Sequence, residues 1–213
     1  KQYQASITEY LNAVLLYSLL QKQEHDFHLR LRPVRIAMPV NLRRFFPSKT
    51  LRNFITMVYP SIDPRLGDYT FEEIVTQVHH YMRYYINSKF LRGDITTNAS
   101  TQRNPLIRIV PLFLKDFVVR QFYQRVQDKN SSAGLTNMGA IRVPDDMKPH
   151  LERFDIYMGI PYSQRTNCAI VSFEDTLTVN FASCIIEADV ERRFFQKLVE
   201  DGIPVTIESN REL

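Results

Sequence analysis

The chain has 213 residues, of which 44% are apolar, 12% aromatic and 23% charged, with six glycines. That length suits one globular domain or a tight pair, and the composition excludes disorder, collagen-like repeats and a disulfide scaffold. The net charge of +4 is too mild to mark a nucleic-acid binder by itself.

Ser6 to Gln23 reads as a helix, because Ser6 and Glu9 form a capping-box pair and Ile7, Leu11, Val14, Leu15 and Leu19 share a broad apolar face. Arg32 to Val40 alternates as a strand, with Val34, Ile36 and Met38 on one side. A turn region ending at Pro47 follows. Phe54 to Ile62, β-branched and aromatic, reads as the next strand, closed by the turn Pro64 to Asp68. Thr70 caps a helix carrying Ile74, Val78, Met82 and Tyr85 and running to about Leu91. Gly93 to Thr101 has the Thr/Asn/Ser composition of a polar loop. Pro105 suits a first helical turn, and a helix is expected from there to Gln127, stopping at Asp128 to Ser131.

Strands are expected at Leu135 to Val143, Phe154 to Ile160, Thr166 to Phe173 and Thr176 to Ser183, the last two joined by a Glu174-Asp175 hairpin turn. Ala188 to Glu200 is an amphipathic helix capped at Gly202, and Ile203 to Ile207 is a closing strand. About four helices and seven strands result, without regular β-α alternation, so a doubly wound sheet does not fit. The expected fold is α+β: a single domain, residues 1–213, with helices packed on a mixed, mostly antiparallel sheet in two layers.

No run of about 18 uncharged apolar residues is present, so no membrane-spanning helix is expected. The start Lys1-Gln2-Tyr3 lacks both Met and a secretory signal, and suggests a piece of a longer protein. Cys168 and Cys184 lie in apolar stretches, as for two buried thiols in a reducing compartment, the cytoplasm. From Phe27 to Ile62 there is no acidic residue, whereas Arg30, Arg32, Arg35, Arg43, Arg44, Lys49 and Arg52 all fall inside. Such a strip either attracts phosphates or is a solvated edge strand; its aromatics lack the repeated platforms that stacked bases need, so nucleic acid is not the expected partner.

Most chemical motifs are missing: there is no Gly-rich phosphate loop, no nucleophile elbow and no zinc-type cysteine spacing. His25 and His28 have no third ligand in sight. His80, beside His79, would serve as a general base only with a partner to orient its ring. No catalytic residue and no metal site are therefore assigned.

Three stretches carry a resemblance: Pro39-Val40-Asn41-Leu42-Arg43, Leu51-Arg52-Asn53-Phe54, and Ser131-Ser132-Ala133-Gly134-Leu135-Thr136-Asn137-Met138-Gly139. Together with the closing helix from Glu187, and in that order over nearly the whole chain, they resemble the chloramphenicol acetyltransferase-like superfamily. That superfamily includes peptide-synthetase condensation domains and alcohol O-acetyltransferases. The first stretch is similar to the family's P-V-(S/D/N)-x-R strand end. The second is similar to its G-N-F strand start, with Arg52 in place of glycine, and Thr136-Asn137-x-Gly139 is similar to S-N-x-G of the acetyltransferase branch. The family's H-H-x-x-x-D-G motif is not matched. His79-His80 is followed by Tyr81-Met82-Arg83-Tyr84-Tyr85, without the aspartate or glycine, so the catalytic role is not carried onto His80.

The resemblance implies the C-terminal half of a two-half acyltransferase, forming one wall of a tunnel and inactive alone. Its substrates would be an acyl-CoA or carrier-bound thioester and a small-molecule alcohol or amine, and its partner the missing N-terminal half of the same polypeptide. A cut face would favour self-association. Ser132, Thr136, Asn137 and Gly139 are the substrate-side candidates: the hydroxyls and the Asn137 amide either donate to a developing oxyanion or, for Asn137 and Gly139, shape a tight strand entry. Arg43 either binds a cofactor phosphate or braces the strand end. Two other readings stay open, a self-associating single-domain acyltransferase and a non-enzymatic module binding through the Arg30–Arg52 strip.

Overall fold

In a computed structural model, residues 3–26, 30–103, 111, 112, 114, 116, 131–160 and 165–210 are described. Helix α1 (Ile7–His25) starts at the expected capping box, with the Ser6 N–H donating to the Glu9 carboxylate at 2.7 Å and the Glu9 N–H donating to Ser6 Oγ at 3.3 Å. It does not bury a single stripe as expected. Leu11, Ala13, Val14, Leu15, Leu16 and Leu20 are all buried, while Ile7, placed on the apolar face by the sequence, is exposed. The cause is that α1 lies between the sheet and two further helices, so little of its circumference meets solvent.

Six strands form one mixed sheet: β1 (Val34–Asn41), β2 (Ile55–Val58), β3 (Ser61–Ile62), β4 (Ala133–Ala140), β5 (Thr166–Phe173) and β6 (Thr176–Ser183). The order is β2-β1-β4-β5-β6, with β3 also on β1. Both central pairs, β1 with β4 and β4 with β5, are parallel; the others are antiparallel. β2 and β3 keep one register along β1, Met38 facing Val58 and Val34 facing Ile62. The expected single strand therefore exists, interrupted at Pro60, which has no N–H to give the ladder but still accepts from the Ile36 N–H at 3.0 Å.

Helices α1, α2 (Phe71–Tyr85) and α4 (Asp189–Glu200) cover one face. Leu135, Cys168 and Ile170 meet them in the core, with Phe181 packing at its margin. The helix expected to reach Leu91 ends at Tyr85, and α3 (Ser88–Arg103) runs through the region expected as a polar loop. Asn87 makes the break: its Oδ1 accepts from the N–H groups of Lys89 and Phe90 at 3.0 and 2.9 Å, starting a new helix. The loop-like threonines then bond within that helix, Thr96 Oγ1 donating to Arg92 O and Thr97 Oγ1 to Gly93 O.

Two expected strands stay out of the sheet. Residues 154–160 cross its other face as extended chain, with Phe154 against the Phe173 ring at 5.1 Å and Gly159 O accepting from Asn167 Nδ2 at 2.9 Å. Residues 203–207 likewise have no ladder, and Glu208 just beyond pairs with Arg153. The helix expected at Pro105 to Gln127 and its stop lie, isolated positions apart, outside the described residues, as does His28. Cys168 is buried as expected, but Cys184 is exposed; both thiols are free. Among the described residues no helix is long and apolar enough to cross a membrane.

A polar cluster fastens the helical layer. The Asp201 carboxylate, just past α4, accepts from Tyr10 Oη at 2.6 Å, Tyr3 Oη at 3.4 Å and Lys197 Nζ at 2.7 Å. Lys197 Nζ also lies 4.4 Å from the centroid of the Phe71 ring, which Tyr3, Tyr10 and Tyr17 meet edge-on. Burial would raise the Asp201 pKa, but Lys197 and the tyrosine hydroxyls outweigh it and hold it below its ordinary value. Glu9 behaves alike: burial opposes ionisation, and the Ser6 N–H and His79, with Nδ1 3.3 Å from Glu9 Oε2, override it.

Both carboxylates contribute stability that is complete above their unfolded pKa and lost as pH falls through the lower folded one. Glu9→Gln keeps the capping box and removes the charge, so it destabilises the protein by about 1–2 kcal/mol at neutral pH. The gap to the parent narrows as pH falls through and below the ordinary carboxylate range, where the parent carboxylate protonates too. Urea unfolding followed by circular dichroism at several pH values reads both effects.

Candidate functional site

The parallel strands β1 and β4 end on the same side of the sheet, where ligands gather in open α/β sheets. The end of β4 is irregular. Asn137 faces Ile170 but Ala140 faces Ser172, so one extra residue is inserted in β4 between them. Gly139 takes φ +76° there, and its N–H donates to Asn137 Oδ1 at 2.8 Å. The Asn137 amide also donates from Nδ2 to Thr8 Oγ1, in the first turn of α1, at 2.9 Å. One side chain thus shapes the bulge and fastens it to a helix.

Thr8 accepts through its oxygen and retains a hydroxyl proton to donate. It sits at the amino end of α1, where the helix dipole favours negative charge. One turn further along α1, Asn12 is wholly buried; Nδ2 points at Met38 Sδ at 3.3 Å, and Oδ1 has no hydrogen-bond partner among the described residues. Thr8 and Asn12 therefore place polar groups on the sheet-facing side of α1.

The four substrate-side candidates separate. Asn137 and Gly139 come together at the bulge. Thr136, one residue earlier, leaves the sheet on the opposite face, beside Ala169 rather than Ile170. Ser132 lies at the other end of the strand, about 16 Å from Asn137 at strand spacing. Its N–H donates to Arg35 O at 2.7 Å and its Oγ accepts from the Arg35 N–H at 3.3 Å. Arg43 lies beyond β1, where Nη2 donates to Thr50 O at 2.9 Å and Arg52 O at 2.6 Å, with Phe54 5.9 Å away. It clasps a loop.

Thr8 and Asn12 are not among the site residues expected from the sequence. Polar residues four apart on the apolar side of a helix were the available signal. His80 has no carboxylate against it in the described contacts; the histidine that does is its neighbour His79. His80 instead lines a wide groove on the outer side of α2, with Glu72, Gln77, Tyr81 and Tyr84. Among the described residues no group of three or more His, Cys, Asp or Glu could hold a metal.

No protein-family model matches the sequence, and no curated protein matches it. Among solved structures, the chain is similar to the epimerization domain from the third module of tyrocidine synthetase B, with TM-score 0.53 and 11% identity over 93% of this chain and 42% of that one. It is also matched to a wax ester synthase/diacylglycerol acyltransferase from Marinobacter aquaeolei VT8, with TM-score 0.47 and 10% identity over 94% of this chain and 45% of that one. The chain thus spans less than half of either structure. The first likeness, at its low identity, is one of fold: helices on a mixed, mostly antiparallel sheet.

An orphaned buried acceptor costs about 1–3 kcal/mol. Asn12→Leu, which removes it at similar volume, is expected to raise stability by about 1 kcal/mol, as a rise in the denaturant midpoint at unchanged m-value.

Proposed function

We propose that this chain is the C-terminal half of an acyltransferase and forms one wall of the channel between two halves. The single observation supporting this reading is the fold likeness, which takes in 93% of this chain but 42% of the epimerization domain. The substrates would be an acyl thioester, on coenzyme A or a carrier, and an alcohol or amine. A histidine on the N-terminal half takes the acceptor's proton as its oxygen or nitrogen bonds to the thioester carbonyl carbon. The C–S bond then breaks, the thiolate leaves, and the carbonyl oxygen bears negative charge in between.

This half holds the geometry in which those steps occur. Aligning two reactants lowers the barrier by about 7–11 kcal/mol when placement is ideal. The oxyanion would lie at the β4 bulge, facing the Thr8 hydroxyl and the amino end of α1. Asn137 then acts as a positioning residue, since both ends of its amide are engaged by Thr8 and Gly139. Thr136 lines the opposite face of the strand, and Ser132 fixes the start of β4. Arg43 braces the loop after β1 and leaves positive charge for a coenzyme A phosphate. The setting is a reducing, cytoplasmic one, and the missing half is the first partner.

A thioester-to-alcohol transfer assay, run with this chain alone and with an added histidine-bearing N-terminal half, tests the reading. Product is expected only when both halves are present. In the joined protein, Thr8→Val is expected to lower kcat by about 10²–10³ with KM little changed, as for loss of an oxyanion donor. Turnover by this chain alone would overturn the proposal.

A further inference from the structure

The acid-free run from Phe27 to Ile62 does not form one strip in space. β1 separates its two ends by about 24 Å at strand spacing. At the first end Arg35 has the Asp63 carboxylate near it. The second end is a compact loop, residues 42–54, with no acid of its own. The Leu42 N–H donates to Phe54 O at 3.1 Å, joining the ends of the loop, and Arg43 clasps it from within through two carbonyls. Arg44, Lys49 and Arg52 stand outward, and α3 adds Arg92, 6.0 Å from the Phe46 ring.

At the tip, among these cations, Leu51 is 103% exposed. Two other large aliphatic side chains protrude nearly as far, Ile186 at 96% and Leu66 at 80%, but Glu187 adjoins the first and Asp68 lies two residues past the second. Leu51 alone of the three combines full exposure with flanking cations and a loop free of acids.

We propose that the 42–54 loop docks the protein onto an anionic lipid surface, Leu51 entering the acyl boundary while Arg44, Lys49, Arg52 and Arg92 meet the headgroups. The chemistry favours lipid over nucleic acid. An aliphatic side chain gains from burial in hydrocarbon and nothing from a phosphodiester strand. The phenyl rings that would stack on bases are half-buried, and those of Phe54 and Phe46 already have guanidinium groups near them. Each basic side chain strengthens attraction to an anionic leaflet, and the effect is reversed by salt. The inference stands apart from the acyl-transfer proposal, because it uses neither Thr8 nor Asn137.

The chain contains no tryptophan, so Leu51→Trp in the full chain gives a single fluorescent reporter at the tip. Its emission is expected to shift to the blue with phosphatidylserine-containing vesicles, and to stay unmoved with phosphatidylcholine vesicles or a single-stranded RNA oligonucleotide. In co-sedimentation with the anionic vesicles, Leu51→Ser is expected to weaken binding about tenfold. Joint replacement Arg44→Gln, Lys49→Gln and Arg52→Gln is expected to weaken it about a hundredfold. These are exposed side chains with no hydrogen bond among the described contacts, so the helical circular dichroism should match the parent's. An unshifted Leu51→Trp emission with anionic vesicles overturns the proposal. So does equal binding to neutral vesicles, or RNA binding as tight as vesicle binding and indifferent to Leu51→Ser.

Discussion

Residues 8–12 of α1 impose the constraint on which the remaining structure depends. This stretch is buried or half-buried, yet four of its five side chains are polar, and each finds a partner inside the fold. Each reaches a different element: Thr8 meets Asn137 on β4, Glu9 meets His79 on α2, Tyr10 meets Asp201 after α4, and Asn12 meets Met38 on β1. Apolar burial would tolerate some rotation or sliding of the helix. These bonds do not, because one residue of slippage turns α1 by about 100° and breaks all four. Sheet and helices are thereby held in one register.

The same constraint explains the form of the candidate site. A bulge at the end of a parallel strand is a local disruption, and β4 keeps it because Asn137 bonds to Gly139 on one side and to α1 on the other. The energetic compromise is visible one turn along α1. Asn12 is buried with its oxygen unpaired among the described residues, an arrangement that stability alone would not select. Polar groups retained at a cost in stability, next to the mouth of a sheet, are where chemistry is expected.

Much of this was legible in the sequence. The capping box at Ser6, the cap at Thr70, the hairpin at Glu174-Asp175 and the final helix with Gly202 just past its end are local signals, and the structure carries all of them. The α+β fold class was legible too, through elements that run on without regular β-α alternation. What failed was nonlocal or double-valued. Asn87 and the threonines of α3 suit a loop or a helix equally, and the choice falls to internal hydrogen bonds. Residues 154–160 have strand composition, but β6 already takes the edge of β5, leaving them to cross its face. Thr136 and Asn137 adjoin in the sequence, and the strand's alternation sends them to opposite faces. Thr8 shows in the sequence only as a polar residue on the apolar side of a helix, because its partner lies 129 residues away.

Native-state hydrogen exchange on the parent chain and on Thr8→Val tests most directly whether α1 holds the end of β4 in place. The Gly139 amide, bonded to Asn137 Oδ1, should exchange at least several-fold faster in the variant, while Leu135 in the middle of the strand keeps its protection. Unchanged protection at Gly139, or equal loosening along the whole of β4 and β5, would contradict this account.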